Sequence, residues 1–461
     1  MKPGAGCRGL LQGLSRRVLA GAAAVLLLAG PGSRLASGHG EGSGGEELLR
    51  DTEIENDIRT MVTPIWRVAG LDASGVGIYI VGDNQLNSFV AGGQAVFINS
   101  GLIERAQVPN MLIGVIAHET GHIAGGHIIR SLEAAKNASI ETVIALMAAL
   151  GASIAGGNGA PMISAQGVGQ RAFMAFSVAQ EATADHAAMS YLDRTGQSAR
   201  GLLKFFEILQ ADEPLGGDPT DPWARTHPLT IERIEYLRHH VETSPYSNAP
   251  DTPANIELLK RVQIKLHAFL DDPSVTLRAY PVSDHSINAR YARAIALYRI
   301  PRLDAALVEI DGLIHDFPAD PYYRELKGQM LFENGRVRDA IGPYEEAVKL
   351  APQAALLRIS LAQVYLESGD PSLNKRAIAY LNDAARIEGR EDLLWRLLAT
   401  AYGRDNQLGM AALSLAEAAL ADGKKKEAMQ QAQRAKQLLA HSTAAYDRAD
   451  EIRREAERLD D

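Results

Sequence analysis

Ile113-Gly114-Val115-Ile116-Ala117-His118-Glu119-Thr120-Gly121-His122 reads as an apolar helix that closes on two imidazoles one turn apart. Residues four apart share a helix face, so His118 and His122 can hold one Zn2+ through ring nitrogens. Glu119 lies off the direct line to such a metal. It is placed to take a proton from a metal-bound water and hand it to a leaving amine. The pattern HExxH also arises by chance; the apolar lead-in and the strand-like stretches just upstream support it here.

A catalytic zinc needs a third protein ligand and an open position. His127 lies nine residues after His118. If the helix continues, nine steps of about 100° carry it to the opposite side, which favours a structural role. Glu181, in Gln180-Glu181-Ala182-Thr183-Ala184-Asp185, is the better candidate, with a solvated charge on an Ala-rich helix as the alternative. Asp185 follows one turn later and can accept the free N–H of a metal-bound imidazole. His227, in Thr226-His227-Pro228-Leu229-Thr230, precedes a helix start. There it can donate to a developing oxyanion, swing onto the metal, or serve as a surface or capping residue.

Working outward, Leu48 to about Val68 has helical spacing. Val76–Val81, Ser88–Ala91 and Ala95–Ile98 read as strands, the last two separated by Gly92-Gly93. Helix returns from Val108 to about Ala135, over 171–195 and 198–211, and from about Thr230 to Val241. Residues 139–165 are almost all apolar and rich in Ala and Gly, either a buried hairpin or a flap that touches membrane or apolar substrate. A Ser/Pro/Asn-rich stretch at 244–253 marks a boundary. Beyond it the chain is helical with an internal period. Pro318 and Pro352 are 34 residues apart, and Gly335, Ala340, Tyr344 and Ala347 sit at tetratricopeptide spacings. Leu361, Ala362, Tyr365 and Gly369 continue the register. Pro371–Asn374 is a short insertion that shifts the next helix to Ala377, Leu381 and Ala384. Trp395, Leu398, Ala399 and Tyr402 fit a further first helix, and Gly423, Ala428, Ala432 and Ala435 a further second helix. Such small residues let paired helices stack into a solenoid.

The first 36 residues hold five basic side chains and no acidic one, and an apolar run from Val18 to Gly30 follows Arg17. That is the layout of a secretory signal, with an uncleaved anchor as the alternative. The whole chain carries −9, so the remainder, without those five cations, carries −14. An acidic balance of this size argues against nucleic acid as a partner. The only cysteine, Cys7, lies in the signal, so any metal must be held by His and carboxylates.

On these residues the sequence resembles the HtpX-like zinc metallopeptidases, within them the branch of periplasmic β-barrel assembly-enhancing proteases. The resemblance covers nearly the whole chain. It implies a mainly α protein: a zincin-like α+β peptidase domain with a small sheet over 48–245, then a tetratricopeptide α-solenoid over 254–461. Residues 1–38 would be the signal and 39–47 a disordered linker. It implies one Zn2+ per chain on His118, His122 and Glu181, Glu119 as general base, and Asp185 as the support of a ligand. It matches His227-Pro228 to a loop whose His acts as a latency switch on the metal. It matches Asn87, Phe89, Val90 and Ala91 to an edge strand that holds an extended peptide. The implied activity is endoproteolysis of misfolded or stalled envelope proteins in the periplasm, with the β-barrel assembly machinery as partner and 139–165 as a peripheral membrane contact. The alternative is a chaperone or scaffold whose peptidase site is silent.

Overall fold

The computed structural model describes residues 47–91, 94–126, 168–212, 227, 229–389 and 391–459. The signal, the 139–165 segment, His127, Gly92-Gly93 and Pro228 lie outside these.

The first helix, α1 (Thr52–Val68), starts where Asp51 accepts a hydrogen bond from the Ile54 N–H. Glu53 and Glu55 sit in its first turn, where carboxylates complement the helix dipole. Its apolar stripe, Ile54, Ile58, Met61, Val62 and Ile65, is buried. The spacing had extended this helix back to Leu48. Residues Glu47–Leu49 instead form strand β1, because they pair antiparallel with β2 (Gly77–Gly82), a partner remote in sequence. With β3 (Ser88–Ala91) and β4 (Ala95–Asn99) they make a sheet of order β1-β2-β4-β3. β2 and β4 run parallel, and β3 pairs antiparallel with β4 at the sheet's edge. Ile78, Ile80, Val90, Val96 and Ile98 enter the main core. On the other face the rings of Tyr79, Phe97 and Phe89 stack in a row at 5.0 Å centroid spacings.

Helix α2 (Ser100–Arg105) leads to α3 (Pro109–Ala124), which opens on a proline at its first turn. Every residue of α3 from Pro109 to Ile123 is buried. It packs on β3, on α1, on α4 (Val168–Arg194) and on α5 (Arg200–Asp212). Helix is expected on to about Ala135, but α3 ends at Ala124 and Gly126 takes a positive φ of 62°; residues 127–135 lie outside the described residues. The helix that carries His118 thus stops before position 127, so His127 cannot be placed by counting helical turns from His118. Helix α6 (Ile231–Thr243) packs on α4 and α5 and is capped by Thr230.

Next come α7 (Pro253–Leu270), α8 (Pro273–Ala279), α9 (Ile287–Arg299), α10 (Leu303–Asp316), α11 (Pro321–Glu333), α12 (Val337–Leu350) and α13 (Ala355–Glu367). The insertion is a 3-10 turn at Pro371–Leu373, started by Asp370. It is followed by α14 (Asn374–Ala385), α15 (Asp392–Arg404), α16 (Leu408–Ala421), α17 (Lys425–Leu438) and α18 (Ala444–Glu457). Sequence neighbours pack in pairs, with Ala340, Ala347, Ala377, Ala384, Ala428, Ala432 and Ala435 fully buried between them. One apolar core runs from Leu49 through to Met330, so helices up to α11 share it with the sheet and α3.

Candidate metal centre

Two helices build the site. On α3, His118 and His122 present their rings on one face, with Nε2 atoms 3.1 Å apart. On α4, Glu181 and Asp185 are one turn apart and flank Ala184, where the helices meet. The approach is close because Gly121 has no side chain: a Cβ there would lie 2.9 Å from the Ala184 Cα and O. Glu181 Oε2 is then 3.2 Å from His118 Nε2, and Oε1 is 3.3 Å from His122 Nε2. Asp185 Oδ1 lies 2.9 Å from His118 Nδ1, on the far side of the ring. Such a contact orients an imidazole and leaves Nε2 as its ligating atom.

His227 comes from the turn before α6 and is buried over the pair. Its ring centroid is 5.4 Å from that of His118 and 5.3 Å from that of His122. One ligand atom each from His118, His122, Glu181 and His227 lies within 4.8 Å of the others. Glu119 is wholly buried, and neither carboxyl oxygen has a hydrogen-bond partner among the described residues. His227 Nε2 is 3.6 Å from Glu119 Oε1, beyond hydrogen-bond reach.

Burial works against a charged His118, but hydrogen bonds to Asp185 and Glu181 overrule it and push the imidazole up to about 9. Burial also opposes the Glu181 carboxylate, yet His227, His118 and His122 hold it well below the usual range. His122 is lowered, chiefly by burial. Burial drops His227 to about 3, so its ring is neutral. Burial, with Glu181 adding to it, raises Glu119 to about 8. Nitrogen and carboxylate donors thus converge in a dry pocket. Borderline-soft imidazoles with one carboxylate are a donor set that fits zinc. The orphaned Glu119 oxygens fit a water held beside it.

The structure therefore brings together His118, Glu119, His122, Glu181, Asp185 and His227. Of the edge-strand residues, Phe89 and Ala91 lie on the aromatic face of the sheet, Val90 in the main core, and Asn87 just before β3, the strand on which α3 packs. Sequence reasoning missed Arg233. From the first turn of α6, its Nε and Nη2 donate to Asp185 Oδ2 and Oδ1 at 2.6 and 2.9 Å. Nη1 lies 3.1 Å from Glu181 Oε2. In sequence Arg233 looks like one more charge on a helix that also holds Glu232, Glu235 and Arg238; only its place six residues after His227 hints otherwise.

Residues 49–241 match the family described as Peptidase family M48, and 291–355 and 326–392 match Tetratricopeptide repeat. The chain is 25% identical over 388 residues to the beta-barrel assembly-enhancing protease of Yersinia pestis, covering 80% of this chain and 77% of that one. It is 23% identical over 351 residues to the protein of the same name in Escherichia coli K12, covering 74% and 67%. Metalloprotease YcaL of E. coli K12 is 29% identical over 168 residues, 36% of this chain and 61% of that one.

Proposed function

We propose that this chain, an M48 peptidase domain with tetratricopeptide repeats behind it and a homologue of the beta-barrel assembly-enhancing proteases, is a zinc endopeptidase of the cell envelope. The observation that carries the proposal is the meeting of His118, His122 and Glu181 beside the buried Glu119, whose carboxyl oxygens have no hydrogen-bond partner among the described residues. Those three residues would hold the zinc, which when bound supplies Lewis acidity that makes water nucleophilic near neutral pH. Glu119 takes the proton of the attacking water and delivers it to the departing amine nitrogen. Asp185 keeps His118 in the tautomer that ligates through Nε2. His227, neutral and within reach of the same centre, either donates to the oxyanion or closes the open position; the second would leave the resting enzyme latent.

Substrate would lie along β3, where Asn87, Phe89, Val90 and Ala91 offer an edge for an extended peptide. The relatives' name couples proteolysis to β-barrel assembly, and the repeats favour protein partners; on that basis we infer misfolded or stalled outer-membrane β-barrel proteins as substrates and the β-barrel assembly machinery as a partner. We infer the periplasm as the location from the basic-then-apolar layout of residues 1–38, read as the export signal, with 48–245 and 254–461 as the working parts. Among the described residues no helix is long and apolar enough to cross a membrane.

The test is metal analysis of the purified protein beside casein proteolysis. Wild type should hold about one zinc and lose activity to a chelator. Glu119→Gln should keep the zinc and lose 10²–10⁴-fold in kcat, roughly the contribution of a general base. A Glu119→Gln protein that cleaves no casein yet keeps every cellular role would favour the chaperone reading instead.

A further inference from the structure

Arg233 holds more than one part of the centre. Asp185 takes both oxygens' bonds from its Nε and Nη2, at 2.6 and 2.9 Å, and Nη1 reaches the Glu181 carboxylate at 3.1 Å. The guanidinium lies over the Phe206 ring, 5.0 Å from its centroid, which fixes the plane of the fork. Asp185 Oδ1 is shared between Arg233 and His118. Two carboxylates one turn apart in a dry site repel each other, and a single planar cation between them offsets that repulsion and sets their orientation. The same side chain belongs to the helix that begins just after His227. Thr230 caps that helix through the Arg233 N–H, and the His227 carbonyl lies 3.5 Å from Nη1.

We propose that Arg233 is a positioning residue: its guanidinium fork sets the Glu181 and Asp185 carboxylates for the metal and anchors the turn that carries His227. This rests on the zinc-peptidase reading. The fork, and not its charge alone, is what matters. A bare positive charge beside a divalent cation opposes metal binding, so Arg233 as a mere charge would weaken the site. As a positioning fork it strengthens the site despite its charge.

Arg233→Lys separates these roles, since lysine keeps the charge and loses the planar bidentate geometry. The measurements are zinc affinity by competition with a chromophoric chelator, the visible spectrum of the cobalt-substituted protein, kcat and KM on casein, and the melting temperature of the metal-free form. Loss of a group that orients metal ligands costs about 10–100-fold in affinity, and that is expected here. The cobalt bands should move, and kcat should fall with KM little changed. Arg233→Met should not recover affinity although it removes the opposing charge. A lysine variant equal to wild type in zinc affinity, cobalt spectrum and kcat overturns the proposal, as does a methionine variant that binds zinc more tightly. A lowered melting temperature with unchanged affinity and spectrum also overturns it, because it marks a role in the fold alone. If the lysine variant does not fold, Arg233→Gln takes the same readouts. Wild type without stoichiometric zinc would sink the peptidase reading; wild type with zinc and an indifferent Arg233 would sink only this one.

Discussion

His118 shows what a metal replaces at this site. In the metal-free fold its imidazole is pushed up to about 9 and so carries a proton near neutrality, held between Glu181 and Asp185. Zinc needs the neutral ring, so binding must expel that proton. Above pH 9 the proton is already gone and costs nothing. Below it, the apparent zinc affinity should fall about tenfold for each pH unit. Competition titrations from pH 6.5 to 9, with calorimetry in buffers of different ionisation enthalpy, read both the slope and the released proton. A flat profile would show that His118 is neutral before the metal arrives. At this scale the spacing of His118, Glu119 and His122 was legible because helical period alone puts the imidazoles on one face. Glu181 was legible as a candidate and became the expected ligand through resemblance, since nothing local separates it from a solvated charge. Arg233 was not legible: its partners Asp185 and Glu181 are about 50 residues away on another helix, and only packing brings them together.

The contact between α3 and α4 turns two sequence motifs into one site. Its tightest point is Gly121, where an added Cβ would press on the backbone of Ala184 at 2.9 Å and on the Ala187 Cβ at 3.2 Å. Backbone cannot swing aside as a flexible side chain can, so Gly121→Ala should push the helices apart. Overpacking of this kind costs about 1–3 kcal/mol. Because Glu181 and Asp185 flank Ala184, the same displacement carries the carboxylates away from His118 and His122. Denaturant titration should show the stability loss, and the purified variant should hold less zinc than wild type. Full zinc occupancy together with the stability loss would mean that the helices accommodate the methyl group without moving the ligands. The strands and most helices were legible from alternation and period. The differences fall at ends: β1 reads as helix in sequence because its pairing with β2 is non-local, and α3 stops at Ala124, before Gly125-Gly126, where its period alone predicts more helix.

Across the whole molecule, charge joins the repeats to the peptidase part. Lys265 on α7 pairs with Asp51 at 2.7 Å and Glu53 at 2.9 Å; Arg261 pairs with Glu53 and Asp320; Thr52 donates to Glu325 on α11 at 2.7 Å. Farther along, Arg50 reaches Glu55 at 2.8 Å, Glu391 at 2.6 Å and Glu388 at 3.1 Å, spanning more than 330 residues of sequence. Between these ties lies a cavity of about 920 Å³, bordered by α1, the start of β2 and the turns at 351–356 and 386–389. The repeats were legible from recurring Gly, Ala and Pro, but this docking was not, because single charges in a sequence do not name distant partners. Glu55 makes the docking sensitive to pH. Burial raises its carboxyl from the ordinary 4.5 to about 7, against the pull of Arg50. Below about pH 4.5 both the folded and unfolded chains hold its proton. As pH rises toward 7 the unfolded chain releases it first, so the fold loses stability, about 3 kcal/mol from this group in all. Glu55→Gln cannot titrate. The stability of wild type relative to Glu55→Gln should therefore fall between about pH 4.5 and pH 7 and stay level above it, as urea denaturation at a series of pH values would measure. A relative stability that rises over that interval would mean that Arg50 holds an ionised carboxylate, and that the ion pair, not a shared proton, closes the far end of the cavity.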